Sequence, residues 1–248
     1  MVVMKDGTET ADVKLGRLVQ FDVRSRGWPV SAVLPSRTPR SYTWRMGPAL
    51  DQGDTSSCVA FMLGGQAVGR PAPLDRPERL TRAWLLGAYC RAQAIDPWPG
   101  QDQSCGMPGP WYGGTSVLAG LKVFREAGFF REFRWAFSLD DAVLGVGRNG
   151  PALLGTWWRE GMSRPDGDGR IRWAGAYQGG HAYLVSAVNL RGVSSWLDGE
   201  VEVTNSWGPR WGRDGRVRMT VRDLGRALDE QGECAFVQRR TWRPKGLS

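Results

Sequence analysis

The sequence predicts an α+β fold, with a helical first half, a stranded second half and any shared site in the groove between them. Before Gly150 the apolar residues recur at helical spacing; after it they fall into short β-rich runs separated by turn residues. The 248 residues suffice for one large domain or two small lobes, and 41% hydrophobic with 23% charged residues is ordinary for a globular chain.

Residues 1 to about 40 are polar and rich in Arg and Pro, with one apolar stretch at Leu18, Val19, Phe21 and Val23. They read as an extension packed along a body spanning 41–240, with a tail at 241–248. The loop SYTWRMGPALDQGDTSS leads into a helix that starts near Cys58, where Thr55, Ser56 and Ser57 offer capping hydroxyls. A second helix runs from Arg79 to Gln93, with Leu80, Ala83, Trp84 and Leu86 to Ala88 as its buried stripe. The Gly/Pro-rich stretch 94–114 is irregular. A third helix follows GGTS and ends at Gly128, and LDDAVLGVGR makes a fourth, capped by Ser138. These helices make up a lobe of about 50–150. PALLGTWW, RIRWA, GHAYLVSAVNL, GEVEVTNSW and GRVRMTV are the strands of a second lobe, about 151–240.

Charge and cysteine content narrow the function. The net charge is +8, and only Lys5, Lys14, Lys122 and Lys245 among 33 basic residues are lysines. So strong an arginine skew reflects genome composition; the arginines are scattered and match no nucleic-acid module. No apolar run approaches the roughly 20 residues that span a bilayer, and MVVMKDGTETADVKLG is no secretory signal. The expected setting is therefore cytoplasmic, or an assembly built there, with assembly proteins as possible partners and no specific nucleic acid or membrane. Cys58, Cys90, Cys105 and Cys234 form no paired metal knuckle and are expected as free thiols, Cys105 being the most reactive of the last three. No metal or other cofactor is expected; Asp166 and Asp168 read as a turn rather than a calcium loop.

One set of residues has the makings of nucleophilic chemistry. A cysteine in the first turn of a helix is favoured as the thiolate by the helix dipole. A neighbouring imidazole can take and return a proton, a third polar group can orient that imidazole, and donors near the thiol can hold an oxyanion. Cys58 opens an apolar helix, Gln52 lies in the loop before it, His181 is the only histidine, and Asn205 follows a later strand. The order Cys, His, Asn matches such a group; His181 is slightly early and Asn205 fits a separation of about 130 to 150 residues.

Here the chain resembles the papain family. DQGDTSSCVAF resembles that family's Gln-Gly-x-Cys-Gly-Ser-Cys-Trp-Ala-Phe segment, GGHAYLVSAV its histidine strand, and NSWGPRWGRDGRVRM its Asn-Ser-Trp-Gly block. The resemblance covers roughly 40 to 240. It implies a papain-like fold, a helical lobe and a β-rich barrel-like lobe flanking a cleft, and cysteine peptidase activity on a polypeptide substrate through a Cys58 thioester. It also implies His181 as base and acid, Asn205 as its partner and Gln52 in the oxyanion hole. WYGGTS resembles the segment that binds substrate backbone, giving Gly113 and Gly114 that role. Ala182 is implied at the main specificity pocket and Trp207 as a shield over the His–Asn pair. YCRAQAIDPWPG and GGTSVLAGLKVFREAG resemble a compact branch from actinobacteria and their phages.

The chain departs from the family at Thr55, where a disulfide cysteine is usual, at Ser56, which replaces glycine, and at Val59, which replaces a large aromatic. The extension is also short for an inhibitory propeptide of this family. A structural or assembly protein, such as a phage particle component keeping the fold as a scaffold, is the alternative function; cleavage or transfer of a non-peptide amide is a third.

Overall fold

The computed structural model describes residues 2–10, 14–35, 37–106, 110–241, 244–245 and 247. Part of the expected 241–248 tail lies outside them. Near the N-terminus, β1 (Val2–Val3) and β2 (Glu9–Thr10) form a small antiparallel pair. After these come β3 (Arg17–Leu18) and β4 (Tyr42–Thr43). Helix α1 (Cys58–Val68) is apolar almost all round and buried, as a helix inside a core must be. Helix α2 (Arg82–Gln93) begins where the Thr81 side chain accepts the Trp84 N–H; it starts three residues later than the sequence implied.

Next, β5 (Thr115–Ser116) leads directly into α3 (Val117–Glu126), capped by Ser116 accepting the Ala119 N–H. The aromatic-rich run Phe130–Ala136 forms β6; α4 (Leu139–Arg148) follows, capped by Ser138 as expected. The remaining elements are β7 (Ala152–Arg159), β8 (Tyr177–Asn189), β9 (Glu200–Thr204), β10 (Arg216–Thr220), α5 (Val221–Asp229) and β11 (Glu233–Arg240).

Several elements depart from the sequence reading, among them the strands β6 and β11, which it did not anticipate. RIRWA, expected as a strand, contributes only an isolated bridge from Arg170 to Arg218, because the turn at Asp166 takes the Arg170 backbone groups and Arg172 and Ala174 bond Gly161 instead of a strand. Helix α5 was not anticipated, although the Thr220 side chain caps it by accepting the Asp223 N–H.

One antiparallel sheet organises the molecule. Its order is β10-β9-β8-β7-β11-β6, with β4 also paired to β8. The long strand β8 therefore lies between β9 and β7, in register through His181↔Thr156 and Ala182↔Gly155. One core lies between the sheet and the helices α1–α3; the other packs Trp158, Trp207 and Trp211 with α4 and α5. Side chains of β8 alternate between these cores, so consecutive residues serve opposite sides. Among the described residues, no helix is long and apolar enough to cross a membrane.

The loop before β5 is held by buried polar contacts. Tyr89 Oη accepts the Gly114 N–H at 2.7 Å and donates to Asp102, while Gln93 Nε2 donates to the Gly114 carbonyl at 2.8 Å. Cys90 and Cys105, expected as free thiols, are joined as a disulfide that ties the end of α2 to the same loop. Removing the Tyr89 hydroxyl orphans the buried Gly114 N–H. Tyr89→Phe should therefore lower stability by about 1–3 kcal/mol, measured by urea unfolding.

Candidate active site

Cys58 is the first residue of α1 and is fully buried. The expected capping hydroxyls are used otherwise. Ser57 makes no side-chain cap, and Thr55 Oγ1 bonds Ser57 Oγ at 2.6 Å and the Gln52 carbonyl at 2.7 Å. Backbone N–H groups of Ala182, Gly16 and Val59 face the Cys58 sulfur. Even so, burial dominates and pushes the thiol up to about 11. Val59 is fully buried among residues of α3 and the first core.

His181 extends from β8, one residue before the Ala182 N–H that meets Sγ. Its Nε2 lies 2.8 Å from Asn205 Oδ1, which also accepts the Ser206 N–H at 2.7 Å. Because that oxygen only accepts, Nε2 carries the proton and the neutral ring keeps its lone pair on Nδ1. Trp207 lies 4.9 Å from the ring at 32°, and Trp158 meets it edge-on at 4.8 Å. This dry box lowers the imidazole pKa to about 4, desolvation outweighing the Asn205 hydrogen bond. Nδ1 has no hydrogen-bond partner, so among the described residues no hydrogen bond joins His181 to Cys58. Burial thus favours the neutral form of both the thiol and the imidazole near neutral pH.

Gln52 is buried and linked to the same loop as Asn205. Its backbone N–H donates to the Ser206 carbonyl at 2.9 Å, and its Oε1 accepts the Ser206 hydroxyl at 2.7 Å. Its Nε2 spends one hydrogen on the Thr55 carbonyl at 2.7 Å and the other on the Lys14 carbonyl at 2.9 Å. Gln52, Cys58, His181 and Asn205 are thus brought together, as are Ala182 and Trp207.

The Lys14 contact belongs to a feature that the sequence did not disclose. Residues 14–18 run through the groove between α1, β5 and β8. The Gly16 carbonyl accepts the Thr115 N–H at 2.8 Å, and Arg17–Leu18 pair in parallel with Thr115–Ser116. The fit permits no side chain at two places. A Cβ on Gly16 would lie 1.9 Å from the Ser56 carbonyl oxygen, and one on Gly180 would lie 2.0 Å from that of Arg17. Gly113 and Gly114 do border the groove, but the Gly114 N–H and carbonyl face Tyr89 and Gln93; the backbone donor to the threaded chain is Thr115.

Arg17 is the further residue that sequence reasoning missed. Its guanidinium is fully buried against Glu233, Nη2 to Oε2 at 2.8 Å. The one available signal was an acidic residue beginning the apolar run ECAFV. Among the described residues, no group of three or more His, Cys, Asp or Glu side chains could hold a metal ion.

No protein-family model matches the chain, and no curated protein sequence matches it. Solved structures do. Xylellain, a cysteine protease from Xylella fastidiosa, superposes with a TM-score of 0.62 at 15% identity, over 94% of this chain and 99% of that one. Procathepsin B S9 from Trypanosoma congolense gives 0.60 at 13% identity, over 93% and 88%. The digestive procathepsin L2 proteinase from Tenebrio molitor larval midgut gives 0.56 at 17%, over 92% and 78%. The chain therefore has a papain-like α+β fold, with an open sheet where the expectation named a barrel-like lobe.

The burial of His181 predicts a pH effect. Its folded pKa lies below the unfolded 6.5, so stability is fully present above pH 6.5 and is lost as pH falls toward about 4. Urea unfolding at pH 7 and 4.5 should show a loss on the order of 2–3 kcal/mol that His181→Gln largely removes.

Proposed function

We propose that this chain is a cysteine peptidase held in a latent form by its own residues 14–18. Cys58 is the nucleophile, and His181 takes its proton through Nδ1 and returns it to the leaving amine. Asn205 fixes the tautomer that makes this possible. The Gln52 side chain holds the oxyanion with the Cys58 N–H, one of the amides a helix start leaves without an intrahelical partner. The observation that carries the reading is the bond from His181 Nε2 to Asn205 Oδ1, which leaves the Nδ1 lone pair free beside the residue whose N–H meets Sγ.

Latency follows from the threaded segment. It excludes water from both reacting groups, which favours their neutral forms, and its Lys14 carbonyl occupies the Gln52 amide. The segment escapes attack because no single carbonyl meets both requirements: Lys14 presents its oxygen to Gln52, while Gly16 presents an N–H to the sulfur. Displacing it readmits water and a substrate carbonyl, and lets the Cys58–His181 ion pair form.

The same filled groove favours a second reading, a papain-like scaffold without turnover. Gly16→Ala separates the two, because its Cβ cannot coexist with the seated segment. On the peptidase reading, an epoxysuccinyl peptide adds once to this variant at least 10-fold faster than to the wild type, and never after Cys58→Ala. In the opened background, peptide hydrolysis disappears with Cys58→Ala or His181→Ala and falls about 100-fold with Gln52→Ala. Thiols that react only on unfolding would instead select the scaffold.

A further inference from the structure

The large sheet ends at β6, and one side of that strand is left open. Its register with β11 runs from Phe130↔Arg240 to Ala136↔Cys234. Trp135 nevertheless donates its N–H away from β11, to the Trp28 carbonyl at 2.9 Å. Backbone groups alternate in direction along an antiparallel strand, so Phe133 and Arg131 also turn theirs outward, while Glu132 and Arg134 bond β11. Among the described residues, nothing bonds those outward groups of Phe133 and Arg131. The extension covers the edge at Pro29, which makes a parallel bridge to Trp135; before it, the turn at Ser25–Gly27 carries the chain away. Beside the uncovered stretch lies an open groove of about 530 Å³, whose walls include Asp22, Arg24, Trp28, Lys122, Arg125 and Phe133.

We propose that this edge is a docking site for an extended acidic segment of another protein, which adds to β6 as a further strand over Arg131–Phe133. The site is separate from the groove that residues 14–18 fill: β7 and β11 lie between β6 and the strand β8 that carries His181. The proposal therefore does not depend on chemistry at Cys58. A row of unpaired donors and acceptors on a sheet edge is a ready template for another chain. Main-chain hydrogen bonds then supply the affinity, and the alternating side chains of the added strand supply the selection.

Charge selects the occupant. Residues two apart on a strand share a face, so Arg131 lies on the face of Phe133. The Arg125 guanidinium of α3 sits over that same phenyl ring, 5.8 Å from its centre. The acidic residues nearby are already engaged: Asp22 with Arg24 at 3.0 Å and Lys122 at 4.0 Å, and Glu132 with Arg134 at 3.5 Å. Arg125 and Arg131 are exposed, and among the described residues neither enters an ion pair. The edge thus presents surplus positive charge, which suits acidic side chains at alternate positions of an added strand. A second copy of this chain suits it poorly, because pairing edge to edge would set these arginines against their equivalents in a molecule of net charge +8. Trp28 closes one end of the groove, half-exposed with the Arg134 guanidinium 5.6 Å from its ring, and offers the strand a flat surface to pack on.

The test uses the full 248-residue chain and a fluorescein-labelled peptide, Glu-Val-Glu-Val-Glu-Val-Glu, read by anisotropy at low salt. So short a strand buries little area, and saturable binding is expected with a Kd below about 1 mM. Methylating the backbone nitrogens of either the valines or the glutamates removes the donors on one edge of the peptide. One methylated form should bind at least about 10-fold more weakly and the other within a few-fold of the parent, since only one edge meets β6. A peptide with lysine in place of glutamate should also lose at least about 10-fold, as should the exposed substitution Arg131→Glu. Phe133→Pro removes an outward N–H while sparing the β11 ladder, and should weaken binding by a similar factor. If that variant fails to fold, Arg131→Glu and the methylated pair decide. No saturable binding, equal behaviour of the two methylated peptides, or binding unchanged by Arg131→Glu overturns the proposal. It is also overturned if an oligothymidylate binds in an Arg131-dependent way and the peptide does not, or if the chain self-associates through an interface that Phe133→Pro abolishes.

Discussion

The seating of residues 14–18 in the groove is specified by a buried ion pair between residues 216 positions apart, Arg17 and Glu233. Two ions taken out of water together return little net stability unless every donor and acceptor finds a partner. Here one carboxylate oxygen and one guanidinium nitrogen do not. The pair thus specifies where the segment seats more than it strengthens the seat. Breaking it one side at a time is a different matter, since a lone Glu233 would remain as a buried charge. On the proposed reading, this asymmetry suits a plug that seats in one place and resists partial removal.

From that anchor the rest of the groove follows. Once Arg17 is fixed at β11, Gly16 falls against the start of α1 and Lys14 against Gln52. The donors that a reaction needs are then occupied by the wrong partners. Backbone N–H groups of the protein point at Cys58, yet burial still wins and raises its pKa. On the opposite side, the aromatic box around His181 lowers its pKa, although the Asn205 bond works the other way. One event, exclusion of water, therefore moves both groups toward their neutral forms and removes the driving force for their pairing.

Much of the frame was legible in the chain. Helix α4 follows from Ser138 and the apolar spacing of LDDAVLGVGR, and β7 to β10 each appear as short β-rich runs bounded by turns. The residues singled out for chemistry come together because three of them lie at element boundaries: Cys58 begins α1, while Gln52 and Asn205 lie in loops joined through Ser206. What was not legible has a common cause. The Arg17–Glu233 pair, the Cys90–Cys105 bond and the threading of residues 14–18 are nonlocal, and no periodicity reports which distant residues will meet. Helix α5 is different: Thr220 and Asp223 give a readable cap, but a strand ending at that same threonine masks it.

On the proposed reading, the seated segment is itself the competitor of any substrate, and this constrains how such an enzyme is switched on. The segment is tethered to the body, so its effective concentration at the groove is of millimolar order for a short flexible connection. A free peptide meets that competitor at every binding event. Raising substrate concentration is therefore an inefficient route to activity, whereas cutting the tether or drawing the segment onto another surface removes the competition outright.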